Sequence, residues 1–186
     1  MTTATRKMTA EEFLELPVQD SPSRREELVH GELIVSPIPF SLHANVLAEL
    51  TSILRSHVRA RDLGIVLPEI DIIFEDDDVR FPDIAYYGKD RAHLVKAKRI
   101  SAMPDLAVEI LSTTRPSYDR IEKFKHYQQH QIPFYWIVDP EEQTIEAWKL
   151  ENGRYADAGR AAKEELAALP PFPDLSLPLK SLWWPV

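Results

Sequence analysis

Apolar residues follow two kinds of spacing along the chain, and these spacings predict its main helices and strands. In segment 41–62 they recur every three to four positions, which predicts a long core helix, and segment 117–130 predicts a second helix that ends before Pro133. Four segments rich in β-branched or aromatic residues predict strands, namely GIVLPEIDIIF, FPDIAYY, DLAVEILS and PFYWIVDP. The last is almost wholly apolar, as expected of a strand inside a sheet.

Shorter elements flank this core. Thr9, followed three residues later by Glu12, has the pattern of a capping box and predicts a short N-terminal helix that ends at Pro17. His30-Gly31 and Asn152-Gly153 each separate two short runs, and both predict β-hairpins because Gly adopts the positive φ of a tight turn. The order is therefore αβββαβ with extra hairpins, an α/β (α+β) fold in which helices flank a mixed central β-sheet.

Composition limits the kind of protein. A chain of 186 residues is long enough for one sizeable core, so we expect a single domain over residues 1–186. The absence of Cys excludes disulfides and thiolate zinc sites. No apolar run is long enough to cross a membrane and the N-terminus lacks the apolar part of a secretion signal, so we expect a cytoplasmic protein. We expect Trp183 and Trp184 to pack on the core or on a second subunit.

Charge is unevenly distributed. The net charge of −8 argues against a protein that coats DNA by bulk electrostatics. Residues 1–80 hold 8 Lys and Arg against 15 Asp and Glu, whereas residues 89–125 hold 9 against 5. The basic region, which includes KDRAHLVKAKR, either faces a polyanionic substrate or is a solvated loop, and its composition leaves both interpretations open.

Several familiar sites are excluded. Five scattered Gly residues form no phosphate-binding loop or dinucleotide fingerprint. His126 and His130 have the spacing of a helical zinc pair, but Tyr127 stands where the metalloprotease motif has its Glu. We therefore interpret the two His residues as solvated positions on a helix.

Three other residues are candidates for chemistry. Pro-Asp occurs at Asp83, Asp105 and Asp174, and only Asp83 precedes a further strand with a central acid, Glu109, and then a helix with Lys123. A buried carboxylate is costly unless it meets a cation, so Glu109 either contributes to a metal site or faces solvent. Asp83 is either its partner in clamping one hard divalent cation or a turn residue. Lys123 either returns over the sheet to these carboxylates or is solvated.

Taken together, these segments resemble the Uma-two family of restriction endonucleases within the PD-(D/E)XK nuclease superfamily. The resemblance runs along almost the whole chain and rests on an ordered set of motifs: EELVHGEL, FPDIAYY, PDLAVEILS, YDRIEKFKHYQQHQIPFYWIVDP and the Leu/Pro-rich end. It implies a restriction-endonuclease-like core, a DNA substrate, Mg²⁺ (or Mn²⁺) as cofactor and a homodimer. In that family Asp83 and Glu109 would bind the metal and Lys123 would be the catalytic Lys.

The resemblance also brings in secondary residues and departures. Glu27 and His43 match positions near the site, and Tyr127 completes an Asp-x-x-x-Lys-x-x-x-Tyr pattern, although His43 alone is also typical of a surface His at a helix start. Leu111 stands where the superfamily usually has its Lys, so activity would depend on Lys123 from the helix. The alternatives are a non-catalytic dimeric module that binds nucleic acid or protein, and a metal hydrolase for another phosphoester.

Overall fold

The computed structural model describes residues 7–16, 24–37, 41–96, 99–112 and 119–183. In chain order its main elements are α1 (Ala10–Leu14), β1 (Arg24–Val29), β2 (Glu32–Pro37), α2 (Ser41–Ala60), β3 (Gly64–Pro68), β4 (Ile72–Glu75), β5 (Asp78–Arg80), β6 (Ile84–Gly88), β7 (Leu106–Ile110), α3 (Phe124–Gln129), β8 (Phe134–Asp139), β9 (Thr144–Glu151), β10 (Arg154–Ala162), β11 (Leu166–Ala167) and β12 (Leu177–Pro178).

The larger of the two main sheets has six strands in the order β10-β9-β8-β7-β6-β3. Only β7 and β8 pair in parallel, and the other neighbours are antiparallel. The connection between β7 and β8 carries α3, as a parallel pair requires a crossover. Read as α2-β3-β6-β7-α3-β8, the core has the predicted αβββαβ order, and the mixed α+β fold is confirmed.

A smaller sheet, with the order β2-β1-β5-β4, corrects one prediction. The segment GIVLPEIDIIF does not form a single strand, because β3 belongs to the larger sheet and β4 to the smaller one. The chain breaks at Glu69, whose φ of 49° is left-handed and whose N–H donates to the carbonyl of Asp83 at 2.9 Å. This break places two sheets, rather than one, around the start of β6.

The two faces of the six-stranded sheet bury different elements. Helix α2 packs on one face through a stripe of fully buried apolar residues, each contributing about 1.5–3 kcal/mol: Val46, Leu50, Leu54 and Val58. On the other face, Ala107 and Leu111 of β7 and its extension pack with Tyr127 of α3. The strand alternation of β7 thus points Glu109 toward α3 rather than toward α2.

The predicted flanking elements are present. Thr9 and Glu12 form the capping box of α1, and the two hairpins turn at His30-Gly31 and Asn152-Gly153, all four turn residues having positive φ. Trp183 packs on the core, whereas Trp184 lies outside the described residues. Among the described residues, no helix has the length and apolar content that crossing a bilayer requires.

The second predicted helix is only partly regular. Residues 117 and 118 lie outside the described residues, Asp119–Lys123 form a π-helical turn, and regular α-helix begins at Phe124. A π-helical turn closes its backbone hydrogen bonds one residue later than an α-helix, so it changes the direction of the side chains before α3.

Candidate active site

Asp83 and Glu109 face each other across neighbouring strands. The antiparallel register pairs Ile84 with Val108 and Ala85 with Ala107, so one step further brings Asp83 opposite Glu109 on the same face of the sheet. The Ile110 N–H donates to Asp83 Oδ2 at 2.7 Å. The two acids are 1% and 2% exposed, which excludes both a solvent-facing Glu109 and an exposed turn at Asp83.

Helix α3 and the turn before it supply a cation and a hydroxyl to Glu109. Lys123 Nζ donates to Glu109 Oε2 at 2.7 Å, and the Tyr127 hydroxyl donates to Oε1 at 2.5 Å. Burial, and then the charge of Glu109, raise the pKa of Tyr127 well above its usual value, so its hydroxyl remains a donor. Both oxygens of Glu109 are therefore oriented from one helical segment.

The burial of Lys123 contradicts the solvated position that apolar periodicity favours. Lys123 is 4% exposed, whereas the apolar Ile121 is 50% exposed. The π-helical turn ends at Lys123 and places it on the inner face, with His126 and Tyr127 one turn later. The inner face of this helix is thus polar where a core helix would be apolar.

Two secondary candidates join the same site. Glu27 of β1 accepts the Phe81 N–H at 3.1 Å through Oε1, which lies 3.6 Å from Lys123 Nζ. His43, in the first turn of α2, places Nε2 3.3 Å from Asp83 Oδ2 and is only 6% exposed, so it is not a surface His. The structure thus brings together all six predicted residues. We call Glu27, Asp83, Glu109 and Lys123 the acid cluster.

A second buried polar group lies beside it and has no counterpart among the predictions. Asp78 and Arg80, both on β5, form a bidentate ion pair with distances of 2.7 and 2.9 Å. His126 Nε2 lies 3.6 Å from Asp78 Oδ1, and its ring packs on Phe74 at a centroid distance of 4.5 Å. We call Asp78, Arg80 and His126 the arginine cluster. His126 is 6% exposed, so the prediction of a solvated His is wrong for it.

The environment of His126 opposes protonation. Burial is the main cause that lowers its pKa, to about 2. Electrostatic interactions with Arg80, His130, His30 and Lys123 also lower the pKa of His126. His126 is therefore a neutral imidazole. The sequence signal for its burial is that Lys123, His126, Tyr127 and His130 share one helical face.

A sequence model of the Uma2 family, described as "Putative restriction endonuclease", matches residues 10–180. The chain belongs to the Uma2 family. A crystal structure described as that of a "putative nuclease belonging to DUF820", from Anabaena variabilis ATCC 29413, is similar with a TM-score of 0.77 and 25% identity, covering 95% of this chain and 97% of that one. The "Uncharacterized protein sll1609" of Synechocystis sp. is 24% identical over 130 residues, covering 69% of this chain and 72% of the relative.

The descriptions of the Uma2 family and of the Anabaena structure indicate nuclease activity in general, and neither names a metal, a target or a catalytic residue. Restriction-endonuclease-like proteins such as the Uma2 family generally use divalent metals. Within the described parts of the chain, no three or more His, Asp or Glu side chains form a group that could hold a metal. Mg²⁺, however, is usually bound by one or two carboxylates, with water and substrate phosphates as the other ligands. Asp83 and Glu109 fit that mode, because they offer hard oxygen donors from adjoining strands.

Three basic residues of the loop in this Uma2 protein form ion pairs among the described residues, and two of them, Lys89 and Arg99, remain at least half exposed. Lys89 pairs with Asp62, Arg91 pairs with Asp105, and Arg99 lies 3.6 Å from an oxygen of Glu11. Residues 97 and 98 lie outside the described residues. Asp105, the second Pro-Asp, differs from Asp83 in its exposure and its partner, since its side chain is 20% exposed and pairs with the guanidinium of Arg91.

Proposed function

We propose that this protein is a metal-dependent DNA endonuclease that hydrolyses phosphodiester bonds. Asp83 and Glu109 would hold Mg²⁺ (or Mn²⁺), and Lys123 would be the catalytic cation. The observation that carries this proposal is the contact of a buried ammonium with one of two buried carboxylates that face each other across β6 and β7. Buried ionisable groups gathered at one point are typical of functional sites, and their desolvation cost needs a reason.

The roles of the side chains follow from their contacts. Mg²⁺ bound at the two carboxylates would supply a Lewis acid for a phosphoryl oxygen and a water of lowered pKa. The Ile110 N–H fixes Asp83, and the Tyr127 hydroxyl fixes Glu109. Lys123 would stabilise the negative charge that develops on the phosphoryl group or orient the attacking water. Because the chain has a net charge of −8, Lys123 and the bound metal would together supply the positive charge that a polyanionic substrate needs at this site.

A cleavage assay tests the proposal. Purified protein with Mg²⁺ or Mn²⁺ is expected to nick or cut DNA, and Asp83→Ala, Glu109→Ala and Lys123→Ala should each lower the rate by about 100-fold or more. Asp174→Ala changes the exposed third Pro-Asp and should cut at the wild-type rate. Equal residual activity in the wild type and all three site variants would contradict the assignment, because it would indicate a contaminating nuclease.

The second candidate is a non-catalytic module that binds nucleic acid or protein. It is favoured by Leu111, which is 6% exposed and stands at the usual position of the strand Lys. A wild-type protein that binds Mn²⁺ but cleaves no DNA in a panel of single-stranded, duplex and branched substrates would favour this module or a hydrolase for another phosphoester. The homodimer and the cytoplasmic location expected from the sequence stay predictions.

A further inference from the structure

The ammonium of Lys123 lies between two carboxylates that come from different sheets. Glu109 Oε2, from the six-stranded sheet, is 2.7 Å from Nζ, and Glu27 Oε1, from the four-stranded sheet, is 3.6 Å from it. All three side chains are at most 7% exposed. If the ammonium moved toward Glu27 by about the difference between these two distances, Glu27 rather than Glu109 would be its closer partner. Such a movement is shorter than one hydrogen bond.

Glu27 is held in place for this contact. Its Oε1 accepts the N–H of Phe81 at 3.1 Å, and Phe81 lies two residues before Asp83. A buried carboxylate is costly, and a second one beside the ammonium that Glu109 already contacts adds like-charge repulsion. One carboxylate would be enough to neutralise Lys123. Glu27 is therefore a second acceptor for Lys123, and the Lys123–Glu109 ion pair does not need its charge.

We infer that Glu27 is a positioning residue, which takes over the ammonium of Lys123 when a divalent cation binds to Glu109. This inference rests on the proposed metal site at Asp83 and Glu109. A divalent cation on Glu109 repels an ammonium on the same carboxylate, so Lys123 must move or the cation binds weakly. Glu27 gives the ammonium a prepared second position inside the site, where it remains available to a phosphoryl group.

The test measures the affinity for Mn²⁺ in the absence of DNA. Calorimetry gives the binding constant, and electron paramagnetic resonance gives the concentration of free Mn²⁺. Glu27→Gln keeps an oxygen for the Phe81 N–H but removes the charge that receives Lys123, so it should weaken Mn²⁺ binding by about fivefold or more, the lower range of typical coupling between sites. Lys123→Met removes the competing ammonium and should tighten binding. In the double variant, the Glu27 substitution should change the affinity by less than about twofold, because its effect acts through Lys123.

Matched controls separate the outcomes. Glu26→Gln removes a charge from the neighbouring position of β1, whose side chain points to the opposite face, and should leave Mn²⁺ affinity at the wild-type value. Equal weakening by Glu27→Gln with and without Lys123 would overturn the inference, because Glu27 would then act on the cation directly. If Lys123→Met does not fold, Lys123→Gln replaces it in the same cycle. Absence of Mn²⁺ binding to the wild type would refute the metal site itself, and this inference with it.

Discussion

Asp78 and Asp83 lie five positions apart and are each 1% exposed, yet they are bound in different ways. In the arginine cluster, the guanidinium of Arg80 takes both oxygens of Asp78, which is the geometry of a structural ion pair. In the acid cluster, Lys123 lies between Glu27 and Glu109, and the imidazole of His43 lies 3.3 Å from Asp83. Three buried carboxylates from two sheets thus meet in one place, an arrangement that offers hard oxygen ligands to a divalent cation. This difference supports the proposal that the chemistry lies at Asp83.

Substitution of each Asp by Asn should separate stability from function. Asp78→Asn removes the carboxylate that binds both N–H groups of Arg80, and breaking a buried ion pair in this way costs about 3–5 kcal/mol of unfolding free energy. Asp83→Asn keeps an oxygen for the Ile110 N–H, and the relief of repulsion with Glu109 offsets the weaker contact with His43, so we expect a change within about 1 kcal/mol. Chemical denaturation followed by circular dichroism measures both. A larger loss at Asp83 than at Asp78 would reverse the comparison.

The facing of Asp83 and Glu109 could be predicted from the sequence, because it needs only strand alternation and an antiparallel neighbour. The burial of Lys123 could not be derived in the same way. Apolar periodicity assumes a regular α-helix, and the π-helical turn before Phe124 rotates Ile121 outward and Lys123 inward. The family resemblance pointed to Lys123 where spacing favoured solvent.

The arginine cluster could not be predicted, since it depends on contacts between distant parts of the chain. Asp78 and His126 are far apart in sequence and meet only because β5 of the small sheet packs beside α3. The small sheet itself depends on the left-handed Glu69, and Glu is not a residue that signals such a turn. Glu27 reaches the acid cluster from the same small sheet, so its contact with Lys123 could not be predicted from the sequence pattern either.

Tyr127→Phe tests how strongly the hydroxyl holds the acid cluster. A hydrogen bond to a charged group contributes about 1.5–3 kcal/mol, so loss of the 2.5 Å contact with Glu109 should lower the unfolding free energy by that amount and also slow DNA cleavage. Tyr155→Phe is the matched control, because the Tyr155 hydroxyl donates to the neutral carbonyl of Ile132 at 2.9 Å. Its expected loss is about 0.5–1.5 kcal/mol, with cleavage unchanged. Equal stability losses in urea unfolding would show that Glu109 carries no charge at this contact.

His126→Gln should reveal the smallest effect, a change in the acid sensitivity of the fold. The pKa of His126 falls from 6.5 to about 2 on folding, so below about pH 6.5 the unfolded chain takes up a proton that the folded chain does not. Stability is therefore complete above that pH and is lost as the pH falls, by at most about 1.4 kcal/mol per pH unit for one proton. Gln cannot titrate, so the variant should lose stability less steeply between about pH 6 and pH 4.5, where urea midpoints can be compared. His93→Gln makes the same substitution at an exposed position and is the matched control. An identical slope in wild type and His126→Gln would mean that His126 takes up its proton in the folded arginine cluster as readily as in the unfolded chain.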